Sequence, residues 1–300
     1  TMALKNGEVD IIGGDLLGKI PMEDLKDLEA SGFNIKKMDT MCAYYIAFNQ
    51  SADFAQDVKV RQALNYAIDK QTMVDNLFYG EGKAAKGLYN SELVPYVTEE
   101  NSPGYEYNLE KAKSLLAEAG YTDSNGNGTL DKDGKELELS IMYTTQEFPE
   151  FQTMAEYTQS QLQQVGIGLS LNPVDTNAFN EHEMAATGYD LIINRTSSDS
   201  WLPHGDMKQL FSPLKTANGK AKIWLDDTLV ENINSTLVAK TDDERQAGYD
   251  KIFKQINDQA YVIPMYYPVT AFATSSRVSV LDLGVNNYAP INWTTLDVKN

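Results

Sequence analysis

Residues 57–70 read DVKVRQALNYAIDK, with AYYIAFNQ (43–50) before them and YGEGKAAKG (79–87) after. Val60, Ala63, Leu64, Ala67 and Ile68 recur at helical spacing, and Asp57 stands where a side-chain oxygen can accept from the first free backbone N–H groups. The stretch therefore predicts a strand, a tight polar turn and a capped amphipathic helix running through 57–70. The same alternation continues outward. Asn108 is placed to cap a helix over LEKAKSLLAEAG, with Gly120 as its left-handed stop. A strand, ELELSIMYTT, is followed by a helix from Glu150 that closes at Gly166. IGLSLNPV then reads as a strand, TNAFNEHEMAATG as a short helix, and YDLIINR as a strand covered on both faces. Thr241 and Glu244 form a capping box that opens a helix through Tyr249, Ile252, Phe253 and Ile256, and YVIPMYYP returns as a strand with a break at Pro264. At the other end, TMALKNGEVDIIGGDL reads as a helix end, a Gly turn and a buried strand of Val9, Ile11 and Ile12. Helices alternating with strands at these spacings indicate an α/β fold with a mixed, mostly parallel sheet flanked by helices.

Composition excludes whole classes of function. A chain of 300 residues with 42% hydrophobic content can bury a full core. Its formal charge of −18 leaves no basic stripe to neutralise phosphates, which argues against nucleic acid as a partner. One cysteine, Cys42, cannot build an internal disulfide framework. No run approaches the ~20 apolar residues a membrane span needs. Two histidines, His182 and His204, are too few for a histidine metal motif, and no nucleophile elbow, Walker loop or dinucleotide fingerprint occurs. A binding protein without a cofactor is expected, rather than an enzyme.

Two segments carry side chains suited to ligands. Asn194–Met207, NRTSSDSWLPHGDM, leaves the carboxyl end of a buried strand, where open α/β sheets bind ligands. Arg195 offers a fork for a carboxylate, Asp199 a charge for an ammonium group, Trp201 a flat wall and His204 an imidazole, with Ser197 and Ser198 as hydrogen-bonding neighbours. The alternative is a surface loop rich in turn formers. Asp123–Gly134, DSNGNGTLDKDG, places Asp123, Asn125, Asn127 and Asp131 as the start of a calcium loop, but Gly134 occupies the twelfth place, where a bidentate Glu is required. A polar linker is the competing reading.

Phe48, Asn49, Asp57, Val60, Arg61, Gln62, Ala63, Ala67, Ile68, Asp69 and Lys70 fill the places of a family signature: Phe-Asn, Asp, Val-Arg-Gln-Ala, Ala-Ile-Asp-Lys. On these residues the chain resembles the extracytoplasmic solute-binding proteins that serve dipeptide, oligopeptide and nickel ABC importers. The resemblance implies the carboxy-terminal part of a longer protein with a periplasmic-binding-protein-like fold, type II-like, of the large-ligand cluster. It further implies a lobe over 45–262, with 1–44 and 263–300 as fragments of the other lobe joined to it by two hinge strands. Tyr45 and Asn49, on the strand leaving the hinge, become candidates for the ligand face. The location implied is extracytoplasmic, periplasmic or lipid-anchored, with the export signal lying outside this sequence. The partners implied are a membrane permease and its ATPase, with the binding protein itself a monomer.

The ligand class stays open between two members of that family. Nickel-type members carry Arg-Thr-Trp and then Tyr-Asp-Pro-His in the 194–207 loop, and this chain keeps Arg195, Thr196, Pro203 and His204 but has Ser197, Trp201 and Leu202 at the other places. From Gly205 to Asn300 it has no histidine for a second imidazole ligand. Peptide-type members place an acidic residue in the loop for the ammonium group, and Asp199 lies close to that place. Peptides are the expected solute and nickel or a metal chelate the alternative. A protein-interaction or sensor module, anchored by Trp201, is the reading from another class.

Overall fold

The computed structural model describes residues 1–14, 18–146, 148–196, 203–213, 221–284 and 289–299. The Ser197, Ser198, Asp199 and Trp201 of the sequence reading lie outside them. The chain opens with α1 (Met2–Lys5), β1 (Ile11–Gly13), α2 (Met22–Ala30) and β2 (Asn34–Asp39). Then come β3 (Tyr44–Phe48), α3 (Val58–Ala67), α4 (Lys70–Leu77), β4 (Lys83–Ala84) and α5 (Leu109–Glu118). A small hairpin, β5 (Asp131–Lys132) and β6 (Lys135–Glu136), leads into β7 (Glu138–Tyr143), α6 (Glu150–Gln163), β8 (Gly168–Pro173), α7 (Thr176–Ala185) and β9 (Leu191–Arg195). Among the described residues α8 (His204–Phe211), α9 (Asp227–Leu237) and α10 (Asp242–Asp258) follow. The chain ends with β10 (Val262–Tyr267), β11 (Val269–Thr274), β12 (Val278–Val280) and β13 (Asp297–Val298).

Two sheets organise these elements. The larger has the order β4-β10-β3-β9-β7-β8, and the smaller β1-β11-β2. Between them the chain passes twice, once from β2 to β3 and once from β10 through Pro268 to β11. The larger sheet is mixed, as expected, but its parallel pairings are confined to β7 with β8 and β9. β3 pairs antiparallel with β9 and with β10, and β10 with β4, because both crossing strands run through one sheet in opposite directions. Pro264 does not break β10. A register shift between Pro264 and Tyr266 accommodates it.

Local signals explain most boundaries. Asp57 Oδ1 accepts from Lys59 N at 2.9 Å, and Thr241 and Glu244 form the full capping box. Gly120 and Gly166 take the positive φ that stops α5 and α6, 91° and 79°. The helix expected over 57–70 is two helices. Ile68 leaves α3 in an extended conformation and Asp69 caps α4 through Thr72 N at 3.0 Å, so a second cap overrides an apolar period that continues through Ile68. Val9 is exposed, and the first strand starts at Ile11.

The signature residues are structural. Arg61, buried on α3, donates through Nε and Nη2 to the Gln259 carbonyl at 2.9 and 2.7 Å and lies 4.4 Å from the Trp224 ring centre. Gln62 Nε2 donates to the Asp258 carbonyl at 3.0 Å. Together they clamp α3 to the end of α10, just where the chain turns back into β10.

Candidate functional site

A cleft of about 900 Å³ opens between the two sheets. Thr40, Cys42 and Tyr44 form its floor along one crossing, and Tyr266 and Pro268 line it along the other. Lys19, Met22 and Glu23 come from the side of the smaller sheet. Phe148, Glu150 and Arg195 face them, and Leu77 and Tyr79 stand at the end of α4.

β3 decides which side chains reach this cleft. Successive strand residues point to opposite faces, so Tyr44 and Tyr45 part company. Both are buried in the main core, 4% and 1% exposed, but of the two it is Tyr44 that lines the cleft. Tyr44 Oη donates to Glu150 Oε1 at 2.7 Å, and its ring meets Phe151 edge-on at 5.1 Å. Burial and the neighbouring Glu150 carboxylate push the Tyr44 phenol well above its ordinary pKa, so it remains a donor. Glu150 stands in the first turn of α6, where the helix dipole favours its charge.

The cations converge on one ring. Arg195 Cζ lies 5.0 Å and Lys19 Nζ 4.5 Å from the centre of Phe148, which stacks on Phe151 at 5.0 Å. Arg195 ends β9 and Lys19 precedes α2, so the two charges come from opposite sides of the cleft. Beside Arg195, the buried Thr196 ties the end of β9 to the crossing strand. Its N–H donates to the Ala43 carbonyl and its Oγ1 accepts from Ala43 N, both at 2.9 Å. Cys42 Sγ donates to the Thr196 carbonyl at 3.3 Å. Burial pushes this thiol up to about 11, with Arg195 opposing, so it is a neutral, inert part of the floor.

The remaining sequence candidates lie elsewhere. Asn49 donates to the carbonyls of Ala186 and Tyr189 at 3.1 and 2.9 Å and accepts from Ser51 N at 2.9 Å, pinning the far end of β3 roughly 16 Å along the strand from Tyr44. His204 opens α8 and is not among the cleft residues. Burial, then Lys208, lowers its pKa, and its buried Nε2 has no hydrogen-bond partner among the described residues. In the 123–136 loop the oxygens serve the loop itself. Asp123 accepts from the amides of Gly126, Asn127 and Gly128, Asn125 from Asn127, and Asp131 from Ser124. Asn125 and Asn127 both donate to Glu136. Among the described residues no group of three or more His, Cys, Asp or Glu side chains is placed to hold a metal ion.

Sequence reasoning missed Tyr44, Phe148, Glu150 and Lys19. Tyr44 differs from the chosen Tyr45 by one step of the strand, and a polar residue such as Asn194 opposite Tyr45 gave no sign of which face is filled. For Phe148 and Lys19 no local signal exists, because only the approach of two distant segments brings them together.

Comparison with known proteins agrees with this architecture. A family model described as bacterial extracellular solute-binding proteins, family 5 Middle, matches residues 1–218. The chain is 29% identical over 255 residues to the oligopeptide-binding protein AppA of Bacillus subtilis strain 168, covering 83% of this chain and 46% of that one. It is 25% identical over 292 residues to the nickel-binding periplasmic protein of Escherichia coli K12, covering 97% and 54%. Among solved structures, NikA from Brucella suis in complex with Fe(III)-EDTA superposes with a TM-score of 0.88 at 25% identity, over 99% of this chain and 59% of that one. AppA from Bacillus subtilis in complex with a nonapeptide gives 0.79 at 24%, over 95% and 55%. The chain thus spans about half the length of the curated relatives it matches.

Proposed function

The chain belongs to the bacterial extracellular solute-binding proteins of family 5, and from that premise we propose that it captures peptides outside the cytoplasm and delivers them to the permease of an ABC importer. In this reading 1–44 and 263–300 contribute to one lobe, 45–262 form the other, and the two crossings act as the hinge about which they close. The observation that carries it is the cleft at that hinge, with the half-buried Phe148 set over the buried Tyr44 and Tyr266 and with Arg195 and Lys19 brought to it from its two sides. Aromatic walls accept side chains of varied shape, and cations drawn from both lobes favour closure on an acidic group. Asp199 and Trp201, with Ser197 and Ser198, are proposed to complete the ligand face from the segment that follows β9, with His204 entering only in the second reading below. The protein works as a monomer and catalyses no reaction.

A second reading, a metal chelate, has its own support in the convergence of Arg195 and Lys19, which suits a polycarboxylate ligand as well as a peptide terminus. Isothermal titration of the intact protein with a mixed peptide pool, then with nickel in the presence and absence of histidine, separates the two. Peptide binding that is lost in Arg195→Ala and in Asp199→Ala is the expected result. Binding of nickel alone, lost in His204→Ala, would establish the second reading and end the first.

A further inference from the structure

At the end of α4 the chain turns through Phe78–Glu81, where the Phe78 carbonyl accepts from Glu81 N at 2.8 Å. Both central residues have positive φ, 59° at Tyr79 and 76° at Gly80. That pattern is the one of a type I′ turn, whose first central place favours Asn, Asp or Gly. A tyrosine there holds a left-handed conformation that glycine would adopt without strain.

Tyr79 packs far less than its neighbour in the turn. Tyr79 is 44% exposed, whereas its neighbour Phe78 is buried and packs on Tyr266 with ring centres 4.6 Å apart. Phe78 is thus the buried anchor of the turn. Tyr79 lines the cleft beside Leu77, which is also partly exposed. Across from it stands α2, whose Met22 lines the same cleft and whose Lys26 Nζ lies 5.9 Å from the Tyr79 ring centre.

We propose that Tyr79 is a specificity-determining residue that, with Leu77 and Met22, forms an apolar shelf for an aromatic or large aliphatic side chain of the ligand. The inference rests on the peptide-binding reading above and deepens it: the preferred peptides are apolar at one position as well as acidic at another. A Tyr ring can cover an apolar side chain from one face while its hydroxyl stays in water, so the shelf selects for size and not for a single residue.

The test compares the intact wild type with Tyr79→Gly and Tyr79→Phe, by thermal unfolding and by titration with two peptide pools of equal length. One pool carries an aromatic or leucine residue in every member, and the other is built of Gly, Ser, Asn and Glu. Tyr79→Gly is expected to melt at or above the wild-type temperature, since the turn relaxes. It should lose roughly tenfold in affinity for the apolar pool while holding its affinity for the polar one, and Tyr79→Phe should bind as the wild type does. A Tyr79→Gly protein that binds both pools as the wild type does, or loses both equally, overturns the assignment and leaves the peptide reading intact. A clear fall in melting temperature makes the ring a packing element and also overturns it. A wild type that binds neither pool removes the peptide reading and this inference together.

Discussion

Lys70 opens α4 with its amine buried and without a hydrogen-bond partner among the described residues. Its neighbour Asp69 is engaged elsewhere, accepting from Thr72 N and Oγ1 at 3.0 and 2.8 Å. Burial alone pushes the amine down to about 7 from an ordinary 10.5. Between those two values the unfolded chain holds a proton that the folded chain has released, so stability rises with pH across this window and is lowest at and below pH 7. A shift of 3.5 units at about 1.36 kcal/mol each corresponds to roughly 5 kcal/mol over the whole window. At pH 7, where half the folded molecules carry the charge, about 4 kcal/mol of that is outstanding. Lys70→Met keeps the apolar stem and removes the titrating group. Urea unfolding at intervals from pH 7 to pH 8 is the assay, above the range in which His204, pushed downward, titrates and below the pH at which the unfolded Cys42 thiol and the tyrosines begin to ionise. The wild type should gain stability across the range, and the variant should start on the order of 4 kcal/mol higher at pH 7 with no such gain. A variant no more stable than the wild type at pH 7, or one that keeps the wild-type slope, refutes the reasoning.

Arg61→Leu removes the donors to the Gln259 carbonyl and to the buried Ala55 carbonyl together with the contact with Trp224, and should cost about 2–4 kcal/mol in chemical denaturation while leaving the cleft residues in place. Tyr44→Phe deletes the bond to Glu150 and should cost about 1–2 kcal/mol; an unchanged unfolding midpoint would show that the bond contributes nothing. In the 123–136 loop the carboxylates already accept from backbone amides, so added calcium should leave the melting temperature where it is, and a rise that Asp123→Ala abolishes would show otherwise.

Much of the architecture is local and therefore legible in the sequence. Asp57, Asn108 and the Thr241–Glu244 box cap the helices they open, because a capping side chain needs only a backbone amide two or three residues away. The run Leu191–Ile193 is covered on both faces, as an uninterrupted apolar strand must be. Where two local signals compete, sequence order does not rank them: the apolar period through Ile68 and the cap at Asp69 overlap, and the cap prevails.

The site belongs to the other category. Whether Tyr44 or Tyr45 faces the cleft depends on which side of β3 the helices fill, and that is settled by segments more than a hundred residues away in the chain, such as Phe148, Phe151 and Tyr266. The meeting of Lys19 and Arg195 over one ring depends on two sheets held by two crossings. From residue order alone come the elements, their caps and the family signature, since these express contacts between near neighbours. Only the tertiary structure selects the face of a strand and the partners across a cleft, since these follow from long-range packing that no local pattern encodes.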